Sequence, residues 1–140
     1  MLLLPRRGVL AIAAVLDIAM NSRGKPVAAK SLASRHRLPP RHLEPVLQAL
    51  VREGILRGVR GPRGGYELAR DKSDIGADEI LRAAGTVENS DDPPLAGSPL
   101  LADVVVPALS RAEEAFSVAL ARITVADLAK SAGPVHKSDD

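Results

Sequence analysis

Cysteine is absent from this sequence, tryptophan likewise, and tyrosine and phenylalanine occur once each. Without thiols there can be no disulfides, zinc knuckles, thiol nucleophiles or thiolate-held clusters. Three histidines, His36, His42 and His136, stand far apart in the chain without metal-site spacing. Two read as surface residues of a basic region and one as part of a tail, so neither metal nor cofactor is expected. The scarcity of rings rules out the base-stacking platforms of many single-strand RNA binders. It also leaves the core to Leu, Val, Ile and Ala, which suit close helix packing.

Long hydrophobic runs are missing as well. In "MLLLPRRGVLAIAAVLDIAM" the apolar stretch from Gly8 ends at Asp17, too short to span a membrane. Two arginines before an apolar run resemble a signal peptide. Three leucines precede those arginines, however, and Ala11-Ile12-Ala13 falls inside the run rather than after it. A buried first helix in a cytoplasmic protein without membrane contact is the expectation. Catalytic constellations are equally absent. Glu113 and Glu114 are neighbours that diverge on a helix, Asp91 and Asp92 lie in a polar loop, and no Ser–His–Asp set is visible. The chain does not read as an enzyme.

What is present begins with charge. The net charge of +2 conceals 13 Lys and Arg against 4 Asp and Glu in residues 1–70, and 6 against 13 in residues 71–140. The first half is an electrostatic candidate for a polyanion, and the second should stay clear of one. At 140 residues the chain is the size of one domain with an added element.

Periodicity orders the basic half. A first helix is expected over about Arg7 to Met20, then the turn "NSRGKP" and a short helix over about Val27 to His36. "RLPP" breaks the chain, and Pro40 restarts it where a first-turn proline is tolerated. From Pro40 to Glu53, Leu43, Val46, Leu47, Leu50 and Val51 fall on one stripe, and Gly54 supplies a left-handed stop. The opposite face shows Arg41, His42, Glu44, Pro45, Gln48 and Arg52. Helix, short turn, helix with a basic outer face is the helix-turn-helix plan.

Directly after it, "ILRGVR" and "YELA" are two β-capable runs joined by "GPRGG". Alternation places Ile55, Arg57 and Val59 on one face, and Tyr66 and Leu68 on one face of the second strand. A glycine-rich turn can cradle a nucleotide phosphate, close a hairpin or carry arginines into DNA. No Lys-Ser or Lys-Thr follows these glycines, so the phosphate-loop pattern fails. A hairpin immediately behind a recognition helix is a wing.

Asp78 to Ala84 reads as a fourth helix ended by Gly85. "TVENSDDPPLAGSP" is acidic and aperiodic, a linker. A long helix within about Leu100 to Arg122 follows. Its positions Leu101, Val105, Ala108, Ala112, Ala115 and Ala119 form a coiled-coil-like seam, widened by Leu109, Phe116, Leu120 and Ile123. Small alanines let a second copy approach closely. Pro107 interrupts this helix, either starting it near Val104 or kinking it. Thr124 and Asp127 look like a capping box for a last helix over 125–130, and "SAGPVHKSDD" reads as a disordered tail. The expected fold is mainly α with a two-stranded wing: DNA-binding domain 1–85, linker 86–99, dimerisation and terminal helices 100–130, tail 131–140.

The segments "LPPRHLEPVLQALVREGIL", "VRGPRGGYELAR", "IGADEILRAAG" and "ITVADL" together resemble the Rrf2 family of bacterial regulators, which includes iron–sulfur-cluster, nitric-oxide and cysteine-metabolism repressors. The resemblance runs from about Arg7 to Leu128. It implies a winged helix-turn-helix, a dimer joined by the long helix, and binding to partly palindromic operator DNA. Two departures stand out. Members commonly carry a polar residue, often Gln, where this chain has Pro45, and sensing members place three cysteines where this chain reads "TVENSDDPPLAGSPLL".

The expected function is a sequence-specific, dimeric DNA-binding regulator, in the sense of a repressor, without an iron–sulfur cluster. A winged helix used for protein–protein assembly is the alternative. In the DNA reading, Arg41, His42, Glu44 and Gln48 lie nearest bases and phosphates, Gln48 suiting adenine and Glu44 the cytosine amino group. Arg60 and Arg63 would reach the adjacent minor groove. Gly61, Gly64 and Gly65 let the turn approach the duplex, and Tyr66 anchors the hairpin. Lys30, Arg35 and Arg37 are phosphate contacts. Leu101, Val105, Ala108, Ala112, Ala115, Phe116 and Ala119 form the homodimer interface. Control would come from a small-molecule effector, a partner protein or abundance.

Overall fold

The computed structural model describes residues 6–22, 24–85 and 98–132. Most of the expected linker and tail, with Glu88, Asp91, Asp92 and His136, lies outside them.

Apolar on nearly every side, helix α1 (Arg6–Asn21) is the element the others surround, with Ala11, Ala14, Val15 and Ile18 fully buried. It packs against α4 (Ala77–Ala84), α6 (Val125–Ala132), strand β2 (Gly65–Leu68) and α3 (Pro40–Arg52). Helix α2 (Ala29–Arg35) lies on α3. The apolar stripe read along α3 is the buried one: Leu43, Val46, Leu47 and Leu50 are each at most 2% exposed. Each contributes roughly 1.5–3 kcal/mol over an exposed position. After Arg52 the helix stops, and Gly54 takes φ +77°.

Strand β1 (Leu56–Val59) pairs antiparallel with β2, Leu56 opposite Leu68 and Gly58 opposite Tyr66. The expected faces hold for Arg57 with Val59 and for Tyr66 with Leu68; Ile55 departs from them, lying buried just before the strand. Leu56 shares the core-facing side with Leu68 and Tyr66, whereas Arg57 turns out to pair with Glu67. Ile55, buried at 1% exposure, precedes the strand and anchors it.

The second helix begins two residues later than expected, because Val27 is spoken for. Its N–H donates to the Tyr66 carbonyl and its carbonyl accepts from the Tyr66 N–H, both at 2.8 Å. Val27 thus joins the edge of the two-stranded wing by one isolated antiparallel bridge.

Pro107 lies at the start of the regular helix. A π turn (Leu101–Val105) runs directly into α5 (Val106–Ala121), with Pro107 in the first turn of the regular helix. The wider turn leads the chain into a position where proline's missing donor breaks no α-helical bond. The chain then returns to the core. Ala77 N–H donates to the Ile123 carbonyl at 2.8 Å and Val125 N–H to the Ile75 carbonyl at 2.9 Å. Thr124 and Asp127 form the expected cap, Thr124 N–H to Oδ2 at 3.0 Å and Asp127 N–H to Oγ1 at 3.1 Å. Val125, 1% exposed, joins the core of the winged helix. The terminal helix therefore ties α5 to the body that carries α3.

Candidate nucleic-acid interface

Helix α3 presents Arg41, His42, Glu44, Pro45 and Gln48 as a continuous exposed row, because its buried stripe occupies the other side. Pro45 sits inside this helix on the exposed row. Its missing N–H leaves the Arg41 carbonyl without the usual helical donor, at a place water can reach.

Cations around α3 fall into two groups. The side chains of Lys30, Arg37, Arg41, Arg60 and Arg63 are exposed and, among the described residues, have no carboxylate partner. Lys25, which the sequence reading passed over as part of a turn, belongs with them. Arg57 and Arg70, by contrast, are engaged by Glu67 and Glu79 at 2.7 and 2.8 Å. Unpaired surface cations are free to meet phosphates without first breaking an internal contact.

Arg35 stands apart from the other expected phosphate contacts. Its Nε and Nη2 donate to Asp17 Oδ2 and Oδ1 at 2.9 and 2.6 Å, and that hydrogen bonding raises its pKa further above the ordinary value. The Asp17 side chain is only 8% exposed. His36, expected as a plain surface residue, instead lies with Nε2 at 3.0 Å from Asp17 Oδ2 and is half-buried. His42 is exposed, as expected. Asn21 completes the cluster, donating through Nδ2 to Oδ1 at 3.2 Å. The sequence signal was available: a lone acid inside an otherwise apolar buried helix needs cations from elsewhere in the chain.

In the turn between α2 and α3, Arg37 adopts φ 54°, a left-handed conformation that costs a side-chain-bearing residue about 1 kcal/mol. The wing turn is closed by Gly64 N–H donating to the Gly61 carbonyl at 2.9 Å. A Cβ on Gly64 would strike the Val59 carbonyl oxygen, and one on Gly65 would strike the carbonyl of Val27. Glycine is required at Gly64 by the tightness of the wing turn itself and at Gly65 by the close approach of the Val27 backbone. Tyr66 packs partly buried against the core, as an anchor should. The wing separates two clefts. Gln48, Val51, Arg60 and Gly61 line the one facing α3, and Lys25, Ser31, Arg35 and Arg63 line the one facing α2.

On the far side, α5 exposes Ala108, Ala112, Ala115, Phe116 and Ala119, with Val105 half-buried. Leu109 is 64% and Phe116 40% exposed, so among the described residues nothing covers this seam. The side chain of Leu101 lies outside the described residues. Glu113 and Glu114 are exposed on the same helix. Among the described residues, no helix is long and apolar enough to cross a membrane.

Comparison with known proteins agrees with this geometry. The Rrf2 family profile, described as "Iron-dependent Transcriptional regulator", matches residues 4–131. The HTH-type transcriptional regulator IscR of Escherichia coli is 36% identical over 80 residues, covering 57% of this chain and 49% of that protein. The chain thus matches about half the length of these curated relatives. Among solved structures, T. potens IscR superposes with a TM-score of 0.73 at 29% identity, covering 99% of this chain and 94% of that one. CymR, the global cysteine regulator of B. subtilis, superposes with a TM-score of 0.70 at 24% identity over 94% of this chain and 98% of its own, a likeness of fold.

The donor set does not fit the iron that the family description names. The chain has no cysteine, and the described residues bring together no three of His, Asp and Glu that could hold a metal ion. His36 is committed to Asp17.

Proposed function

Because the chain belongs to the Rrf2 family of transcriptional regulators, we propose that it is a dimeric repressor binding double-stranded operator DNA. The observation that carries this reading is the exposed row of α3, flanked on both sides by unpaired cations and backed by a wing. Helix α3 enters the major groove, where Gln48 suits adenine and Glu44 accepts from a cytosine amino group. Pro45 offers no hydrogen bond, so the base beside it is met by apolar contact alone. Lys30, Arg37 and Arg41 hold phosphates and set the register. The α5 seam of Val105, Ala108, Ala112, Ala115, Phe116 and Ala119 closes on a second copy by two-fold symmetry. Protein–protein interfaces are depleted of charge at their core, which weighs against an assembly module using the α3 face.

The signal that controls binding is a small molecule, a partner protein or the protein's own abundance, not a thiolate-held cluster. Selection of bound fragments from genomic DNA tests the proposal. It should recover an inverted repeat whose half-sites lie about one helical turn apart or a small multiple of that. A pool without enrichment over many rounds would contradict it.

A further inference from the structure

The two arginines of the wing face different work. Arg60 lines the cleft shared with Gln48 on α3, and Arg63 lines the cleft on the opposite side, shared with Lys25, Ser31 and Arg35. The second cleft, about 630 Å³, has three cations and a hydroxyl on its walls and, among the described residues, no carboxylate. Asp17 is engaged by Arg35 together with His36 and Asn21, and the bidentate grip uses Nε and Nη2, leaving Nη1 without an acceptor among the described residues. Arg35 is thereby a fixed donor, whereas Lys25 and Arg63 are exposed and unpaired. The cleft walls are held in place by the Val27–Tyr66 bonds, which join the α1–α2 connection to the wing.

We infer that this cleft is an anchor for a backbone phosphodiester of duplex DNA, with Lys25 and Arg63 as its mobile cations and Arg35 as its preorganised one. This rests on the DNA-binding reading above and deepens it. Arg63 is then a positioning contact that carries no sequence information, and only Arg60 lies on the side where bases are read. Lys25 becomes part of the interface although it belongs to neither the helix-turn-helix nor the wing.

The test uses the full chain and two duplexes, a fragment recovered by selection and a random-sequence duplex of equal length. Lys25→Gln and Arg63→Gln should each weaken binding by the same factor on both. They should lower the log–log salt slope by about 1 per lost contact in each protomer. Combined, they should lose less than the product of the single losses, because they share one phosphate. Lys25→Arg should restore binding. Arg60→Gln should instead weaken the selected fragment more than the random one. A Lys25→Gln protein with unchanged affinity and slope, or losses confined to the selected fragment, would overturn the anchor. So would saturable binding of inorganic phosphate at constant ionic strength that Lys25→Gln abolishes, since it would assign the cleft to a free anion. Wild-type protein that binds neither duplex would remove the DNA reading itself, whereas steep wild-type binding with an indifferent Lys25 removes only the anchor.

Discussion

Asp17 on α1 grips Arg35 on α2 through two hydrogen bonds of 2.6 and 2.9 Å, fixing a guanidinium at the edge of the proposed DNA face. The carboxylate is buried and the arginine 43% exposed on its side chain, so solvent screens part of the attraction. Asp17→Ala should lower stability by about 1–3 kcal/mol, since it strips the partner from Arg35, His36 and Asn21 together. Chemical denaturation with an unchanged m-value would check this. A midpoint equal to wild type would show the cluster to be ornamental.

Arg37 keeps a left-handed backbone that glycine would adopt without cost. Arg37→Gly should raise stability by about 1 kcal/mol and weaken duplex binding at the same time. Thermal melts and a binding titration on the same preparation measure both. A variant that gains stability and keeps full affinity would show that the arginine does not touch DNA.

The α5 seam has exposed alanines, the surface on which the proposed dimer would close. Ala112→Glu should place an unpaired charge in that contact and convert a dimer to monomers at micromolar concentration. Sedimentation velocity gives the answer directly. An undisturbed dimer would place the interface elsewhere.

Acid should destabilise the fold in a defined direction. The hydrogen bond from Arg70 lowers the Glu79 pKa from 4.5, opposed by desolvation and helped by the Gly76 N–H. Asp127 is lowered chiefly by its hydrogen bonds from Thr124. A depressed carboxylate contributes stability that is complete above its unfolded pKa and is lost as pH falls through the lower folded value. Stability should therefore be level from neutral pH to about 4.5 and decline below it. Glu79→Gln should shrink that acid limb. A decline beginning near pH 6 would point to other groups.

Much of this molecule was legible in the sequence. The stripe from Leu43 to Val51 marks the buried side of α3 and, by exclusion, its exposed row. Gly61, Gly64, Gly65 and Tyr66 announced the wing, and Thr124 with Asp127 announced α6. What escaped depended on residues far apart in the chain. Val27 read as the start of a helix because nothing local reveals its pairing with Tyr66. His36 reads as a plain surface residue, and Arg35 as a free phosphate contact, because their partner, Asp17, lies on another helix. Ile55 reads as sharing a face with Arg57 and Val59, yet it precedes the strand and is buried beside Leu56, where successive buried side chains give alternation no phase.

The protein should be colourless. Anaerobic purification should give no stoichiometric iron or sulfide, because the chain offers no thiolate and its carboxylates are hard ligands ill suited to such a cluster. Stoichiometric iron and sulfide with visible absorbance would require ligands from outside the chain.

The central claim is that two copies of this chain bind duplex DNA through the cations around α3 and the wing. A titration of the selected duplex against salt tests it most directly. If each protomer neutralises about four phosphates, the log–log slope should be roughly −7. A slope near zero, or full affinity from a protein that stays monomeric, would contradict it.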